Sequence, residues 1–327
     1  MLVGGYARPY SLDEAVDLLG NPNAMVMAGG TDILVKGRSR NLYGSRTLVD
    51  VTGVSELLGI TTHDGLLDIG AAEPLSNLVE SELVRKLSPV LWQAVRSVGG
   101  IQTRNRATLG GNLANACPAA DGICACTALG VSVAIAGTDG TRTIPVTDLF
   151  KPCAACLAHE GMLVRTCLFA DPREKKTTLA AGELIVRVLI PVRAEREYGA
   201  YVRLSSNEGV GLADVNACAV ARYDECGAIC NARACVGGMF PQPRLLNGSE
   251  LPLIGTRVEE MDIQRCSESF DVLIDAECSR LANATFKRRV APVVLADALR
   301  ALGPDGEDVP GIPGLRRMPV LDWGAME

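Results

Sequence analysis

Histidine is nearly missing from this chain: 327 residues hold only two, His63 and His159. That leaves little material for histidine-based acid–base chemistry or a histidine-rich metal site. Aromatic residues are scarce too, at 4%. No apolar run approaches the ~20 residues that cross a bilayer. The opening Met1-Leu2-Val3-Gly4-Gly5-Tyr6 lacks the charged start and apolar stretch of an export signal, which points to a cytoplasmic protein. Net charge is −6 with no long basic run, which weighs against nucleic acid as the main partner. No Ser-His-Asp set and no nucleophile elbow is visible.

What is present is an ordinary globular composition, 48% hydrophobic, long enough for two or three domains and a sizeable core. Cysteine is abundant, with twelve residues. Without an export signal these read as reduced thiols, some of them available for a metal or cluster, rather than as a disulfide framework.

Along the chain, 11–20 reads as a capped helix, with Ser11 as cap, Asp13 and Glu14 at its positive end and Gly20 as stop. Residues 58–62 and 66–70 flank Asp64-Gly65 as a hairpin, which makes His63 an exposed turn residue. Residues 76–86 and 89–98 read as helices, the second stopped by Gly99-Gly100. Residues 131–135 and 141–146 read as a strand pair. From 184 to 238 the pattern is an antiparallel meander, and from about 256 it turns helical.

Two glycine pairs punctuate this order. The run Ala24-Met25-Val26-Met27 suits a buried strand and empties into Ala28-Gly29-Gly30-Thr31-Asp32. This is neither a P-loop nor a dinucleotide fingerprint. It is a strand, a tight turn, and a Thr-Asp pair that could offer a hydroxyl and N–H groups to a phosphate. About 80 residues later comes Thr108-Leu109-Gly110-Gly111-Asn112-Leu113-Ala114, followed by Pro118 and Asp121. Either pair alone reads equally well as a plain turn.

Together, their order and spacing, and the Gly182-Glu183-Leu184-Ile185 that opens the later β-rich part, resemble the FAD-binding (medium) subunit of molybdenum hydroxylases. That group includes xanthine dehydrogenase, carbon monoxide dehydrogenase and 4-hydroxybenzoyl-CoA reductase types. The resemblance covers roughly 1–300 and implies an α+β fold. Two FAD-binding subdomains of the vanillyl-alcohol oxidase type, 1–56 and 57–180, would grip FAD. A C-terminal α+β domain with an antiparallel sheet and helices would follow at 181–302, and then a tail at 303–327.

The resemblance also implies site residues. Val26, Met27, Ala28, Gly29, Gly30, Thr31, Asp32 and Ile33 form the first contact run. Thr108, Gly110, Gly111, Asn112, Ala114 and Asp121 form the second. Val98 would pack near a ring of the cofactor, Leu184 or Ile185 would touch it, and Arg203 falls near a lysine that reaches the flavin. It implies a FAD-dependent oxidoreductase subunit that takes electrons from a [2Fe–2S] small subunit and passes them to NAD⁺ or another acceptor. Molybdopterin would sit on a separate large subunit, since no molybdopterin motif is evident here.

The cysteines leave alternatives open. Cys117 stands where serine is common in the family. A cysteine-rich insertion at 151–175 departs from ordinary members. Cys153, Cys156 and Cys167, with Cys117, Cys124 or Cys126 as a fourth thiolate, could hold a [4Fe–4S] cluster; the other reading is that they are small buried hydrophobes. Cys218, Cys226, Cys230, Cys235, Cys266 and Cys278 read as core residues. His159 lies in the insertion and reads as exposed. Two other readings remain: a self-contained FAD oxidoreductase of the same fold, and a cysteine-rich structural subunit without flavin.

Overall fold

The computed structural model describes residues 3–40, 43–151, 176–205, 211–257, 260–278, 284–302 and 315–316. Cys153, Cys156, His159 and Cys167 lie outside the described residues.

The chain begins with a small α/β unit. Strand β1 (Gly5–Ala7), helix α1 (Leu12–Leu19), strand β2 (Ala24–Met27), helix α2 (Ile33–Arg40) and strand β3 (Thr47–Asp50) give a parallel sheet of order β1-β3-β2. Ser11 caps α1 by accepting from the Glu14 N–H at 3.3 Å, and Ala15 and Leu19 form its buried face. The middle strand β3 is covered on both sides, so its Leu48 and Val49 are among the most buried residues of this unit.

Next come β4 (Ile60–His63), β5 (Leu66–Gly70), and short helices α3 (Leu75–Glu80), α4 (Glu82–Leu87) and α5 (Pro89–Arg96). Asp64 at φ 50° and Gly65 at φ 73° make the expected turn, and His63 is exposed beside it, its ring 2.9 Å from Asp68. The helix expected over 76–86 is broken at Ser81, which leaves helical geometry to cap α4 through the Val84 N–H. Then follow α6 (Ile101–Arg104), α7 (Leu109–Asn115), α8 (Asp121–Leu129), and the hairpin β6 (Ser132–Gly137) and β7 (Gly140–Pro145).

Strand β8 (Leu184–Pro191) lies in the middle of the second sheet, of order β4-β5-β8-β6-β7, antiparallel throughout. A boundary at 180/181 would give this strand to the C-terminal domain, whereas it pairs with β5 and β6 in the second sheet. The reason is burial on two faces. Leu184 and Val186 pack into the core of the first unit, while Val188 and Ile190 pack into that of the second. Such a strand carries a continuous apolar run, which looks the same whichever sheet it joins.

The remaining strands β9 (Glu197–Leu204), β10 (Val215–Tyr223), β11 (Ile229–Gly237) and β12 (Arg244–Leu246) form an antiparallel sheet. Helices α9 (Ile263–Cys278) and α10 (Ala284–Arg300) pack on one face over Phe270, Ile274 and Leu295. From the tail, β13 (Leu315–Arg316) pairs with β9. No helix among the described residues is long and apolar enough to cross a membrane.

Helix α8 ties the molecule together. Every residue from Asp121 to Leu129 is buried, because α5 packs on one side and β10 and β11 on the other. A helix enclosed on all sides must be apolar all round and slim, which explains its run of Ala and Cys. Cys124 donates from Sγ to the Cys235 carbonyl at 3.3 Å, and burial pushes the Cys126 thiol up to about 12. Cys124, Cys126, Cys218, Cys235 and Cys266 are core residues. Cys226 and Cys230 are exposed on the β10–β11 hairpin, against the core reading; strand spacing alone does not say which face is covered.

Candidate functional site

A cleft of about 570 Å³ opens where the first unit, the second sheet's helices and the C-terminal domain meet. Of the residues singled out from the sequence, Val26, Ala28 through Ile33, Val98, Thr108, Gly110 to Asn112, Ala114, Asp121, Leu184 and Ile185 line it. Cys117 lines it as well. Segments far apart in sequence are thus gathered at one place.

The first glycine pair forms the turn between β2 and α2. Gly30 sits at φ 73°, a left-handed conformation that side chains with a Cβ adopt only at a cost. Gly29 has a different reason to be glycine. A Cβ there would land on the Arg106 carbonyl and within 2.9 Å of the Ala107 nitrogen. The two glycine segments therefore touch backbone to backbone. Among the described residues, the N–H groups of Gly29 through Ile33 donate no hydrogen bond within the chain, and they line the cleft at the start of α2. Unpaired N–H groups at a helix start form a ready anion cradle.

The second glycine pair departs from the expected loop. Gly110 and Gly111 lie in the first turn of α7, and their N–H groups are engaged. Gly110 donates to the Ala71 carbonyl at 3.0 Å and Gly111 to Oγ1 of Thr108, the cap, at 3.0 Å. A Cβ on Gly110 would stand 2.6 Å from Ala71 Cβ, so this glycine serves close packing of α7 on the sheet. Asn112 fits better as a polar contact. Its Oδ1 is buried with no hydrogen-bond partner, in space left by Gly122.

Two sequence-derived residues are not in the cleft wall. Met27, at the end of β2, is 8% exposed and turned inward. Arg203, on β9, sits behind the wall. Its Nη1 donates to the Ser97 carbonyl, its Nη2 to the Gly211 carbonyl at 2.7 Å, and its Nε stands 3.6 Å from Asp121 Oδ1. Tyr201 donates its hydroxyl to the same Asp121 oxygen. Burial raises the Asp121 carboxyl above its ordinary range, against the opposing pull of Arg203 and Tyr201. Burial, then the Asp121 charge, push the Tyr201 phenol well up. This pair of strand residues faces α8 because residues two apart on a strand share a face.

Sequence reasoning missed several lining groups, among them Lys36, Tyr43, Thr103, Asn115, Lys176 and Leu212. Lys36 had a signal: it stands one helical turn after Asp32, 4.0 Å from its carboxylate. Its Nζ also donates to Asn115 Oδ1 at 2.7 Å, which joins α2 to the end of α7 across the cleft. The others follow no local pattern. Among the described residues no three His, Cys, Asp or Glu side chains stand together as a metal site, and the other proposed thiolate partners of Cys117 lie outside those residues.

Residues 2–193 match the family described as the FAD binding domain in molybdopterin dehydrogenase. The chain is 34% identical over 172 residues to the xanthine dehydrogenase FAD-binding subunit of Escherichia coli O157:H7, a stretch that is 52% of this chain and 59% of that protein. It is 31% identical over 255 residues to the nicotine 6-hydroxylase medium subunit of Paenarthrobacter nicotinovorans, covering 75% of this chain and 81% of that one. Its fold is similar to a chain of the solved carbon monoxide dehydrogenase from Hydrogenophaga pseudoflava that lacks the Mo-pyranopterin moiety of the molybdenum cofactor. There the TM-score is 0.78 and the identity 25%, over 92% of this chain and 97% of that chain. Sequence match, fold and the gathered glycine segments agree: this chain belongs to the family of FAD binding domains of molybdopterin dehydrogenases.

Proposed function

We propose that the chain binds FAD in this cleft and serves as the flavin subunit of a multi-subunit molybdenum hydroxylase. The observation that carries the reading is the run of N–H groups from Gly29 to Ile33, which donate no hydrogen bond among the described residues and belong to residues lining a cleft that Lys36 also lines. A diphosphate is the part of FAD that needs such a cradle. The orphaned Asn112 Oδ1 offers an acceptor for a hydroxyl or ring N–H. The cleft volume lies in the range of cofactor sites.

In this reading Gly29 to Ile33 and Lys36 hold the anionic middle of the cofactor. Val98, Leu184, Ile185 and Leu212 supply apolar wall that excludes water. Asp121 presents a carboxylate whose position is set from behind. FAD, when bound, supplies the redox chemistry, while the protein holds and orients it. No residue of the chain is assigned a bond-making role. Electrons would arrive from a [2Fe–2S] subunit, with molybdopterin on a large subunit, and leave to NAD⁺ or another acceptor. The relatives support the setting: one is the medium subunit of a nicotine 6-hydroxylase, and the solved structure is a carbon monoxide dehydrogenase described by the moiety of its molybdenum cofactor that it lacks.

The test is direct. The full chain, purified gently, should be yellow and release FAD in about one-to-one ratio on denaturation. A colourless chain that fails to take up added FAD would refute the proposal. Iron and sulfide assays on the same anaerobic sample decide the [4Fe–4S] reading of Cys117, Cys153, Cys156 and Cys167; absence of both ends it. Co-purification from the native host identifies the partner subunits.

A further inference from the structure

The C-terminal domain reaches the cleft at one point, Gly211 and Leu212, among the described residues. What holds that point is Arg203. Its guanidinium addresses three separate stretches: the Ser97 carbonyl just before Val98 and Gly99, the Gly211 carbonyl at 2.7 Å, and the Asp121 carboxylate at 3.6 Å. Each borders the cleft, yet Arg203 itself does not. Arginine suits the task because its planar fork donates in several fixed directions at once, which a lysine ammonium on a flexible stem cannot reproduce. Two residues earlier on the same face of β9, Tyr201 donates to Asp121 Oδ1, and its own N–H is held by Gln93 Oε1 at 3.3 Å. The Arg203 Nε is buried and makes no hydrogen bond of its own, so it faces Asp121 as a charge.

We propose that Arg203 and Tyr201 are positioning residues: from behind the wall, they set where Ser97–Gly99, Gly211–Leu212 and the Asp121 carboxylate stand toward the flavin. The inference rests on the FAD reading above. It assigns the seating of the cofactor to residues of the C-terminal domain that do not touch it, and so makes that domain part of the flavin site rather than a passive cover. A purely structural buried ion pair would act differently. Its loss would lower the melting temperature and leave the bound flavin unchanged at temperatures where the protein is folded.

The experiment compares wild type, Arg203→Lys and Tyr201→Phe as full-length chains at a temperature where circular dichroism shows each folded. FAD affinity is read by fluorescence quenching, and the seat of the flavin by its visible absorption band shape. Arg203→Lys keeps the charge and loses the fork, so it should bind FAD roughly tenfold or more weakly, with an altered band shape. Tyr201→Phe removes one oxygen, which a fold tolerates well, and should weaken binding about threefold with a smaller spectral change. It carries the test alone if Arg203→Lys does not fold. Unchanged affinity and spectrum in the folded variants would overturn the inference while leaving the FAD reading intact. A wild-type chain that binds no FAD would instead overturn that reading.

Discussion

Gly29→Ala is the sharpest test of how the two glycine segments meet. The new methyl would point at the opposite backbone: onto the Arg106 carbonyl and to within 2.9 Å of the Ala107 nitrogen. Neither atom belongs to a side chain that can rotate away. Relief requires the segments to part, by an ångström or more. Overpacking against backbone costs about 1–3 kcal/mol and sometimes more, and this site belongs at the upper end. Parting the segments also separates the Gly29–Ile33 cradle from Thr108 and Asn112, so FAD affinity should fall with stability. Two controls grade the argument. Gly30→Ala meets the flexible Leu34 side chain at 3.2 Å and Met27 Sδ at 3.6 Å but forces a left-handed alanine, for about 1–2 kcal/mol. Gly111→Ala meets only Thr108 Oγ1 at 2.9 Å, so its main effect is on that cap. Urea melts and FAD titrations should rank the losses as Gly29 first, then Gly30, then Gly111. A Gly29→Ala chain that melts within about 0.5 kcal/mol of wild type and keeps its FAD would refute the backbone apposition.

Lys36→Gln loses a cation from the cleft and the 2.7 Å link to Asn115; FAD should bind about fivefold or more weakly, with a flatter dependence on salt, and an unchanged titration would count against its role. Burial alone would raise the Asp50 carboxyl, but hydrogen bonds from Thr52 and Tyr6 outweigh it and hold the group below its ordinary 3.8. Its stabilising contribution is therefore present above pH 3.8 and is lost as pH falls through the lower folded value; Tyr6→Phe should narrow that window in acid urea melts, and a pH profile identical to wild type would refute the assignment. Maleimide labelling of the native chain should reach Cys226 and Cys230 and spare Cys124, Cys126, Cys218 and Cys235 until denaturant is added, as read by mass spectrometry.

Part of the cleft wall was legible in local pattern, and most of its other residues came through the family resemblance. A strand that ends in Gly-Gly-Thr-Asp before a helix describes its own turn, and Gly30 at φ 73° is where that turn needs glycine. In the structure Thr108 caps α7 three residues before Gly111, yet a pair of glycines there reads as a loop until Ala71 is seen packed against Gly110. The misplacement of Leu184–Pro191 had the same origin. An apolar strand announces burial but not its neighbours, and only pairing with β5 and β6 assigned it. Arg203 was found in the sequence for its position along the chain, yet its place behind the wall depends on β9 facing α8.

By itself the sequence determined the Asp64-Gly65 turn, the Ser11 cap and the places of the two glycine segments along the chain. These depend on propensities and periodicities that act within a few residues. It also carried the family resemblance, since spacing along a chain survives without coordinates. Only the tertiary structure decided what meets across the cleft: Gly29 on Arg106, Lys36 on Asn115, and Tyr201 and Arg203 on Asp121. Those contacts join segments that no local rule relates, and what selects them is the joint burial of three cores around one enclosed helix.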